Sequence, residues 1–139
     1  MKRFLLRVAI PALIVFAAGC ATRPTWSRYE MCFGRSADSG QTRISDQQWQ
    51  QFRDEEIVPR FPDGFTVYHA DGYWRSDAAT YSEPSEVLVV VAPDPGDAGK
   101  KLDAIARAYA RRFRQESVLQ ITSHVEVDFH EAAAPAPAR

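Results

Sequence analysis

The chain has 139 residues, enough for one domain of ordinary size with a real hydrophobic core. Its 17 basic and 18 acidic residues give a formal net charge of −1. A chain without a positive excess lacks the electrostatic footprint of a nucleic-acid-binding protein, so no nucleic-acid partner is expected.

The first nineteen residues have the pattern of an export signal. Lys2, Arg3 and Arg7 make a basic start, and an uncharged, mostly apolar run follows over residues 8–18. That run is shorter than the roughly 20 apolar residues that a transmembrane helix needs. Residues 1–19 are therefore predicted to be a signal peptide, and removing them brings the net charge to about −4.

The segment AAGC at residues 17–20 resembles the lipobox of bacterial lipoproteins. The resemblance implies cleavage before Cys20 and attachment of lipid, including palmitate, to that cysteine. Ala17 departs from the leucine that such boxes usually carry, and the alternative is an ordinary secretory signal that leaves Cys20 as a thiol. Because Ala21 is not the aspartate of inner-membrane retention, the resemblance implies a periplasmic protein anchored to the outer membrane.

Cys32 is the second of the two cysteines in the chain. If Cys20 is acylated, Cys32 has no intramolecular partner in an oxidising compartment. It is the plausible thiol nucleophile, but a buried, inert cysteine on a central strand is the favoured interpretation.

Hydrophobic periodicity divides the chain into elements, starting with its first half. Residues 20–27 are predicted to be a polar tether, and alternation from residue 29 predicts a strand that ends in a loop over residues 35–42. Ser45 and Gln48 form a capping box, and the helix that they begin must end near Val58 because Pro59 disfavours helix before it.

The second half begins with a turn at residues 62–64, which Pro-Asp-Gly predicts, and a strand over residues 65–74 with a bulge at Gly72. After a loop, the apolar run at residues 86–92 predicts a strand that is buried on both faces. Asp97 can cap the next helix, and alternation predicts a last strand over residues 119–129. The Ala/Pro-rich residues 130–139 are predicted to be a disordered tail, so the domain comprises residues 28–129.

The order β-α-β-β-α-β predicts an α+β fold of the ferredoxin-like split βαβ type. Its four-stranded antiparallel sheet has the first and third strands in the centre and two helices on one face. The other face needs a cover, either a second copy, as in dimeric α/β barrels, or a ligand cavity. The polar alternation of the last strand predicts that this open face is only partly dry.

Several motifs in serial order resemble the domain of unknown function family 3574, which occurs in exported bacterial proteins and lipoproteins. The motifs are RFPDGFTV, GYWR, EPSEVLVVVAPD and AIARAYARRFRQESVLQITSHVEVDF, and the resemblance covers residues 28–129. It implies no catalytic assignment. It does imply family motif positions at Arg60, Phe61, Pro62, Asp63, Gly64, Trp74, Glu83, Ser85, Gln115, Glu116 and Ser117.

Candidate ligand-binding residues are Arg60, Arg75, Glu83, Ser85 and Trp74. The predicted strand pairing brings Arg75 and Glu83 toward the same sheet end, either as a structural ion pair or as a clamp for an anion. Trp74 is most simply a core or interface aromatic. Asp63 and Gly64 are explained by the turn alone.

A metal site is the weaker hypothesis. His69 and Asp71 share one strand face, and His124 and Glu126 share a face of another strand. Because those strands are opposite edges of the predicted sheet, we expect no metal. The sequence also lacks a Gly-x-Ser-x-Gly motif, a phosphate-binding loop and a dinucleotide-binding glycine pattern, so no cofactor is predicted.

Arg107, Arg111 and Arg114 fall on one face of the second predicted helix. A solvated face near the negative end of the helix dipole is the favoured explanation. Contact with anionic lipid is the alternative, which a lipid tether makes geometrically possible.

Together these features predict a lipid-anchored cell-envelope domain, a non-enzymatic binding or assembly module that dimerises through the open sheet face. The alternative is a small enzyme of the dimeric α/β barrel type, with a site between the open face and a partner subunit. Its candidate residues are Arg75 and Glu83, with His69 or Cys32 as further candidates. The sequence assigns no catalytic residue and names no small-molecule ligand.

Overall fold

A computed structural model describes residues 25–37, 42–75 and 80–131. The predicted signal peptide, Cys20 and residues 132–139 of the predicted tail lie outside the described residues. The strands are β1 (Thr25–Gly34), β2 (Ser36–Ala37), β3 (Thr42–Arg43), β4 (Thr66–Arg75), β5 (Thr80–Asp94) and β6 (Leu119–Val125). The helices are α1 (Asp46–Phe52), which continues into a π-helical turn (Arg53–Ile57), and α2 (Ala98–Phe113).

The main sheet has the strand order β4-β5-β1-β6, and every neighbouring pair is antiparallel. β1 and β5 are central, and β4 and β6 are the edges. This arrangement confirms the predicted ferredoxin-like α+β fold. The strands β2 and β3 pair with each other in a small second sheet, inside the segment that was predicted to be a loop.

Three strand boundaries differ from the predicted ones. β1 begins at Thr25, which pairs with Asp94, so residues 25–27 of the predicted tether belong to the sheet. β5 begins at Thr80 because its pairing with β4 continues to Arg75, through most of the predicted loop. β6 ends at Val125, which pairs with Trp26, so residues 126–129 of the predicted strand lie outside it.

Two glycines lie where a positive φ or a close contact requires a residue without a Cβ. Gly64 has a φ of 124°, as the predicted turn requires. Gly72 pairs with Glu83 in unbroken register, so the bulge predicted there is wrong. A Cβ at Gly72 would lie 2.6 Å from Oγ of Ser85, and the glycine is explained by this close approach instead.

The capping box of α1 is confirmed. Oγ of Ser45 accepts from the Gln48 N–H at 3.2 Å, and Oε1 of Gln48 accepts from the Ser45 N–H at 2.8 Å. Such a cap stabilises a helix by about 1 kcal/mol. Asp97 precedes α2, but its side chain caps no described backbone group; it pairs with Lys101 at 3.1 Å.

An aromatic core fills the space between the helices and the sheet. Tyr109 of α2 contacts Phe33 of β1 with ring centroids 4.8 Å apart, and Phe52 of α1 with centroids 5.0 Å apart. The Tyr109 hydroxyl donates to the carbonyl of Gly34 at 2.7 Å, and burial raises the pKa of this phenol. These contacts hold both helices on one face of the sheet. Truncating one such core aromatic lowers the free energy of unfolding by about 3–5 kcal/mol.

Candidate functional site

The register defines the sheet face that points away from the helices, which we call the open face. On β1, Met31 and Phe33 are buried beneath the helices, so the even-numbered residues form the other face. Cross-strand partners share a face. The open face therefore contains Thr66, Tyr68, Ala70, Gly72 and Trp74 of β4; Tyr81, Glu83, Ser85, Val87, Val89 and Val91 of β5; Trp26, Arg28, Glu30, Cys32 and Gly34 of β1; and Leu119, Ile121, Ser123 and Val125 of β6.

The last strand presents its apolar residues to this face. Leu119 pairs with Cys32 and Val125 pairs with Trp26, whereas Gln120 pairs with the core residue Met31. Ser123 is the one polar side chain that the described residues of β6 add to the open face, so the polar character of this face comes mainly from Arg28, Glu30 and Tyr68. Alternation shows which residues share a face but not which face is dry. Here the helix side of the edge strand β6 is exposed to solvent.

Large apolar side chains of the open face are exposed. Leu119 is 59 % exposed and Ile121 is 44 % exposed. At the far end of the face, the exposed rings of Trp74 and Tyr81 stack with centroids 4.7 Å apart. Soluble monomers rarely expose a contiguous apolar patch larger than a few hundred Å². The open face is therefore the strongest candidate interaction surface among the described residues.

Polar groups lie near the middle of the open face. Arg28 Nη2 is 3.3 Å from Oε1 of Glu30, and the Tyr68 hydroxyl donates to Oε2 of Glu30 at 3.3 Å. Cys32 lies next to them on β1, where burial and the Glu30 carboxylate raise the pKa of its thiol. A thiol that stays protonated at neutral pH is a poor nucleophile, which agrees with the favoured interpretation of an inert cysteine.

Glu83 and Ser85, two of the predicted site residues, lie beside the end of β1. Oε2 of Glu83 accepts from the Ser36 N–H at 3.2 Å, and a Cβ at Gly34 would lie 2.6 Å from Oε1 of Glu83. Ser85 is buried against Gly72, with its Oγ 3.5 Å from the Glu83 carbonyl. These contacts account for both side chains through local packing.

Arg75 does not converge with Glu83. Arg75 pairs with Thr80 while Glu83 pairs with Gly72, three residues earlier on β4. Side chains three residues apart on a strand leave opposite faces, so the ion pair or anion clamp expected from these two residues does not form. Trp74 lies outside the core, half-exposed on Tyr81, which excludes the core role for it.

Arg60 follows the first helical segment and binds its last turn through Glu56. Its Nη1 donates to the Glu56 carbonyl at 2.6 Å and lies 2.8 Å from Oε2 of the same residue. A cation at this position satisfies carbonyls at a helix end. Arg60 also contributes to the wall of a groove at the end of the sheet.

That groove has a volume of about 1100 Å³ and runs around the end of the sheet where β1 begins. One wall is apolar and consists of Trp26, Val91, Val125, Val127 and Phe129. The other wall is formed by residues 60–64 and the start of α2. The rings of Trp26 and Phe129 meet edge to face with centroids 6.0 Å apart, and Lys101 Nζ lies 5.8 Å from the Phe61 ring.

A buried ion pair between Arg35 and Glu86 lies on the helix-covered side. Arg35 is 3 % exposed and Glu86 1 % exposed. The Arg35 guanidinium contacts Oε1 of Glu86, donates to the Ile44 carbonyl at 2.8 and 3.1 Å, and donates to Oδ1 of Asp46 at 2.8 Å. The Arg35 hydrogen bond and charge lower the pKa of Asp46. The cluster ties the β2–β3 segment and the start of α1 to the sheet.

His69 lies beside this cluster at the edge of the sheet. Its Nδ1 is 2.8 Å from Oε2 of Glu86, but that oxygen receives no hydrogen bond of acceptable geometry from the described residues. The Arg35–Glu86 pair was not predicted from the sequence because its two residues are far apart in the chain. The available signal was a lone glutamate at the head of an apolar run on a central strand.

The metal hypothesis gains no support. His69 and Asp71 belong to β4 and His124 to β6, at opposite edges of the sheet. Within the described ranges, no group of three or more histidine, cysteine, aspartate or glutamate side chains is placed to hold a metal. His124 Nδ1 instead lies 3.3 Å from Oγ of Ser27 and 3.8 Å from Oδ2 of Asp94.

Arg107 and Arg112 of α2 have acidic neighbours. Arg112 Nη1 is 2.5 Å from Oε2 of Glu55 and lowers the pKa of that carboxyl, and Arg107 is 3.9 Å from Asp103. These pairs agree with a solvated cationic face.

The fold and its open face define a small ferredoxin-like α+β domain with one helix-covered and one apolar open side. The chain belongs to the family described as "Protein of unknown function (DUF3574)", which matches residues 28–129. A search of curated proteins gave no significant match. No helix in the described part of the chain is long and apolar enough to cross a membrane.

Solved structures resemble this chain at low sequence identity. A phage SAM lyase in the apo state has a TM-score of 0.54 and 13 % identity, covering 77 % of this chain and 94 % of the lyase. The lyase in complex with S-methyl-5'-thioadenosine gives 0.52 and 12 %, covering 78 % and 94 %. CutA from Synechococcus elongatus gives 0.46 and 8 %, covering 73 % and 77 %. At these identities the similarity concerns the fold and not the activity.

Proposed function

We propose that this chain is a lipid-anchored cell-envelope protein whose domain is a non-enzymatic assembly module that forms a homodimer through the open face. The observation that carries the proposal is the set of exposed apolar and aromatic side chains on that face. They are Tyr68, Trp74, Tyr81, Leu119 and Ile121.

The dimensions of the open face suit a dimer. Four strands spaced about 4.8 Å apart and ten residues long give a projected area of roughly 650 Å². Side-chain relief raises the accessible area toward the ~800 Å² per partner of a standard interface. β5 is apolar on both faces, and a strand of that kind is stable when both faces are covered.

The charges on the face are self-complementary. Arg28 and Glu30 lie two residues apart on the central strand β1, both partly exposed. A twofold packing of two open faces can place the Arg28 guanidinium of each copy against the Glu30 carboxylate of the other. Among the described residues of the open face, Arg28 and Glu30 are the one pair of opposite charges in ion-pair contact. This packing gives both of them an opposite charge on the partner copy.

The enzyme alternative has less support. His69 and Arg75 extend to the helix side of the sheet, whereas Glu83 and Cys32 belong to the open face. These four candidates therefore cannot converge on one substrate. The raised pKa of Cys32 further weakens a nucleophilic role for this thiol.

Dimerisation is tested by sedimentation velocity on the mature chain carrying Cys20→Ser. Ile121→Glu places a charge on the open face, and Thr122→Glu places the same charge on the other side of β6 as a matched control. We expect Ile121→Glu to convert a dimer to a monomer and Thr122→Glu to leave the dimer intact. A monomeric parent chain, or equal behaviour of the two variants, contradicts the proposal.

We include the lipid anchor in the proposal because the chain begins with basic residues, followed by an apolar run and the AAGC segment at residues 17–20. We place the protein in the periplasm, held to the outer membrane by lipid on Cys20. In cells labelled with palmitate, Cys20→Ala is expected to abolish the label and to move the protein to the soluble fraction. Cys32→Ala is the control and keeps both properties. Retention of the label by Cys20→Ala contradicts the assignment.

A further inference from the structure

We infer that the groove at the start of β1 is a bilayer-contacting surface, which seats Trp26 and Phe129 in the interfacial layer of the membrane. The inference rests on the proposed lipid anchor and adds to it a defined orientation of the domain. The partner is the lipid bilayer itself, contacted through apolar side chains.

The chain length between the anchor and the domain restricts the position of this surface. Cys20 precedes Thr25, the first residue of β1, by five residues. Five residues span at most about 17 Å when fully extended. A lipid on the Cys20 sulfur therefore holds the beginning of β1, and the groove beside it, within that distance of the headgroup layer.

The groove has the side chains that favour a membrane interface. Phe129 is 77 % exposed and contacts the partly buried Trp26, and Val91, Val125 and Val127 continue the same wall. Aromatic side chains concentrate at the level of the lipid headgroups, where an apolar ring and partial hydration are both satisfied. An apolar wall of this kind is stabilised by insertion at a depth of a few ångströms.

The charges around the groove favour contact with the apolar part of the bilayer over contact with anionic headgroups. Lys101 is paired with Asp97 at 3.1 Å and Arg60 with Glu56 at 2.8 Å. Asp128 adds a further negative charge to the lining. With cations already paired and carboxylates on the rim, attraction to anionic lipid contributes little.

This orientation occupies the Trp26 end of the open face, together with Val91 and Val125, and leaves the rest of that face available to a second copy. The stacked rings of Trp74 and Tyr81 mark the opposite end of the sheet from Trp26, which pairs with Pro93. Residues 81–93 of β5 separate the two ends by roughly 40 Å. The strands then extend away from the bilayer.

The test uses the mature chain with Cys32→Ala, coupled through Cys20 to a maleimide lipid in phosphatidylcholine vesicles with brominated acyl chains. Trp49 is buried in both variants compared and serves as a constant background. Trp74→Phe leaves Trp26 as the reporter in the groove, and the matched variant Trp26→Phe leaves Trp74 as the reporter at the other end of the sheet. We expect bromine to quench the fluorescence of the first variant and to leave that of the second unchanged.

Quenching of both variants equally, of Trp26→Phe alone, or of neither overturns the inference. Replacing part of the phosphatidylcholine with phosphatidylglycerol is expected to change nothing. Quenching that requires phosphatidylglycerol also overturns the inference and points to the α2 arginines. Because the lipid is attached chemically, these results do not depend on whether the cell acylates Cys20, which the palmitate experiment decides separately.

Discussion

The two faces of the sheet differ in how completely the chain's own side chains bury them. On the helix-covered face, Leu88 and Val90 of β5 are buried by the chain's own helices. On the open face, Val91 of the same strand and Ile121 of β6 remain exposed. The comparison teaches that an apolar strand indicates a need for burial without saying which molecule supplies it.

The two faces of the sheet also differ in how far their ion pairs are exposed to water. The helix-covered side holds the Arg35–Glu86 pair out of water, whereas Arg28 and Glu30 on the open face are partly hydrated. A buried pair is costly to break because one uncompensated charge remains, while an exposed pair contributes about 0–1 kcal/mol. Substitutions on the two sides therefore separate folding from association.

The largest expected effect comes from Arg35→Met. Removing the guanidinium leaves Glu86 buried without its cation, and the free energy of unfolding is expected to fall by about 3–5 kcal/mol in urea titrations. Arg28→Met on the open face is the matched control and changes unfolding by less than about 1 kcal/mol. The double variant Arg35→Met/Glu86→Leu should recover much of the loss. Equal effects of the two arginine substitutions would remove the distinction between the faces.

Gly34→Ala is expected to have the next effect. The new Cβ meets the Glu83 carboxylate, which must move and release the Ser36 N–H, at a cost of about 1–3 kcal/mol. Gly99→Ala in α2 meets no described atom within 4 Å and is expected to stabilise the helix by roughly 0.5–1 kcal/mol. Thermal unfolding measures both changes. A neutral Gly34→Ala variant contradicts the structural role given to Glu83.

Cys32 offers a smaller, kinetic test on the open face. Because burial and Glu30 raise its pKa, the thiolate fraction at pH 7.5 is low and alkylation by iodoacetamide is slow. In the Cys20→Ser background, we expect a slower rate than for the urea-unfolded chain, and a rise on Glu30→Gln. Fast alkylation in the native state would indicate an activated thiol and return weight to the enzyme alternative.

The smallest effect concerns Asp46, at the exposed rim of the buried cluster. Its pKa is lowered by Arg35, so the carboxylate stabilises the fold above the ordinary aspartate pKa of about 3.9. That contribution is lost as the pH falls through the lower folded-state value. Asp46→Asn should therefore lower the melting temperature slightly at pH 7, with the difference closing in strong acid. A difference that persists unchanged in acid contradicts the ionic origin.

Local patterns predicted much of the fold but less of the site. The Ser45 capping box, the turn at Gly64 and the apolar run of β5 depend on neighbours in the chain, and the structure contains all three. The orientation of β6 could not be predicted, because alternation does not say which side of an edge strand is hydrated. The Arg35–Glu86 pair and the separation of Arg75 from Glu83 depend on register between distant segments.

The central claim is that a second copy covers the open face, and isotope-filtered NMR tests it most directly. A 1:1 mixture of methyl-labelled and unlabelled mature chain with Cys20→Ser reports contacts between subunits. We predict intermolecular contacts to the methyl groups of Leu119 and Ile121, and none to Leu88, Leu102 or Ile105 on the helix side. Intermolecular contacts confined to other surfaces, or their absence at concentrations where the chain is pure and folded, would contradict the account.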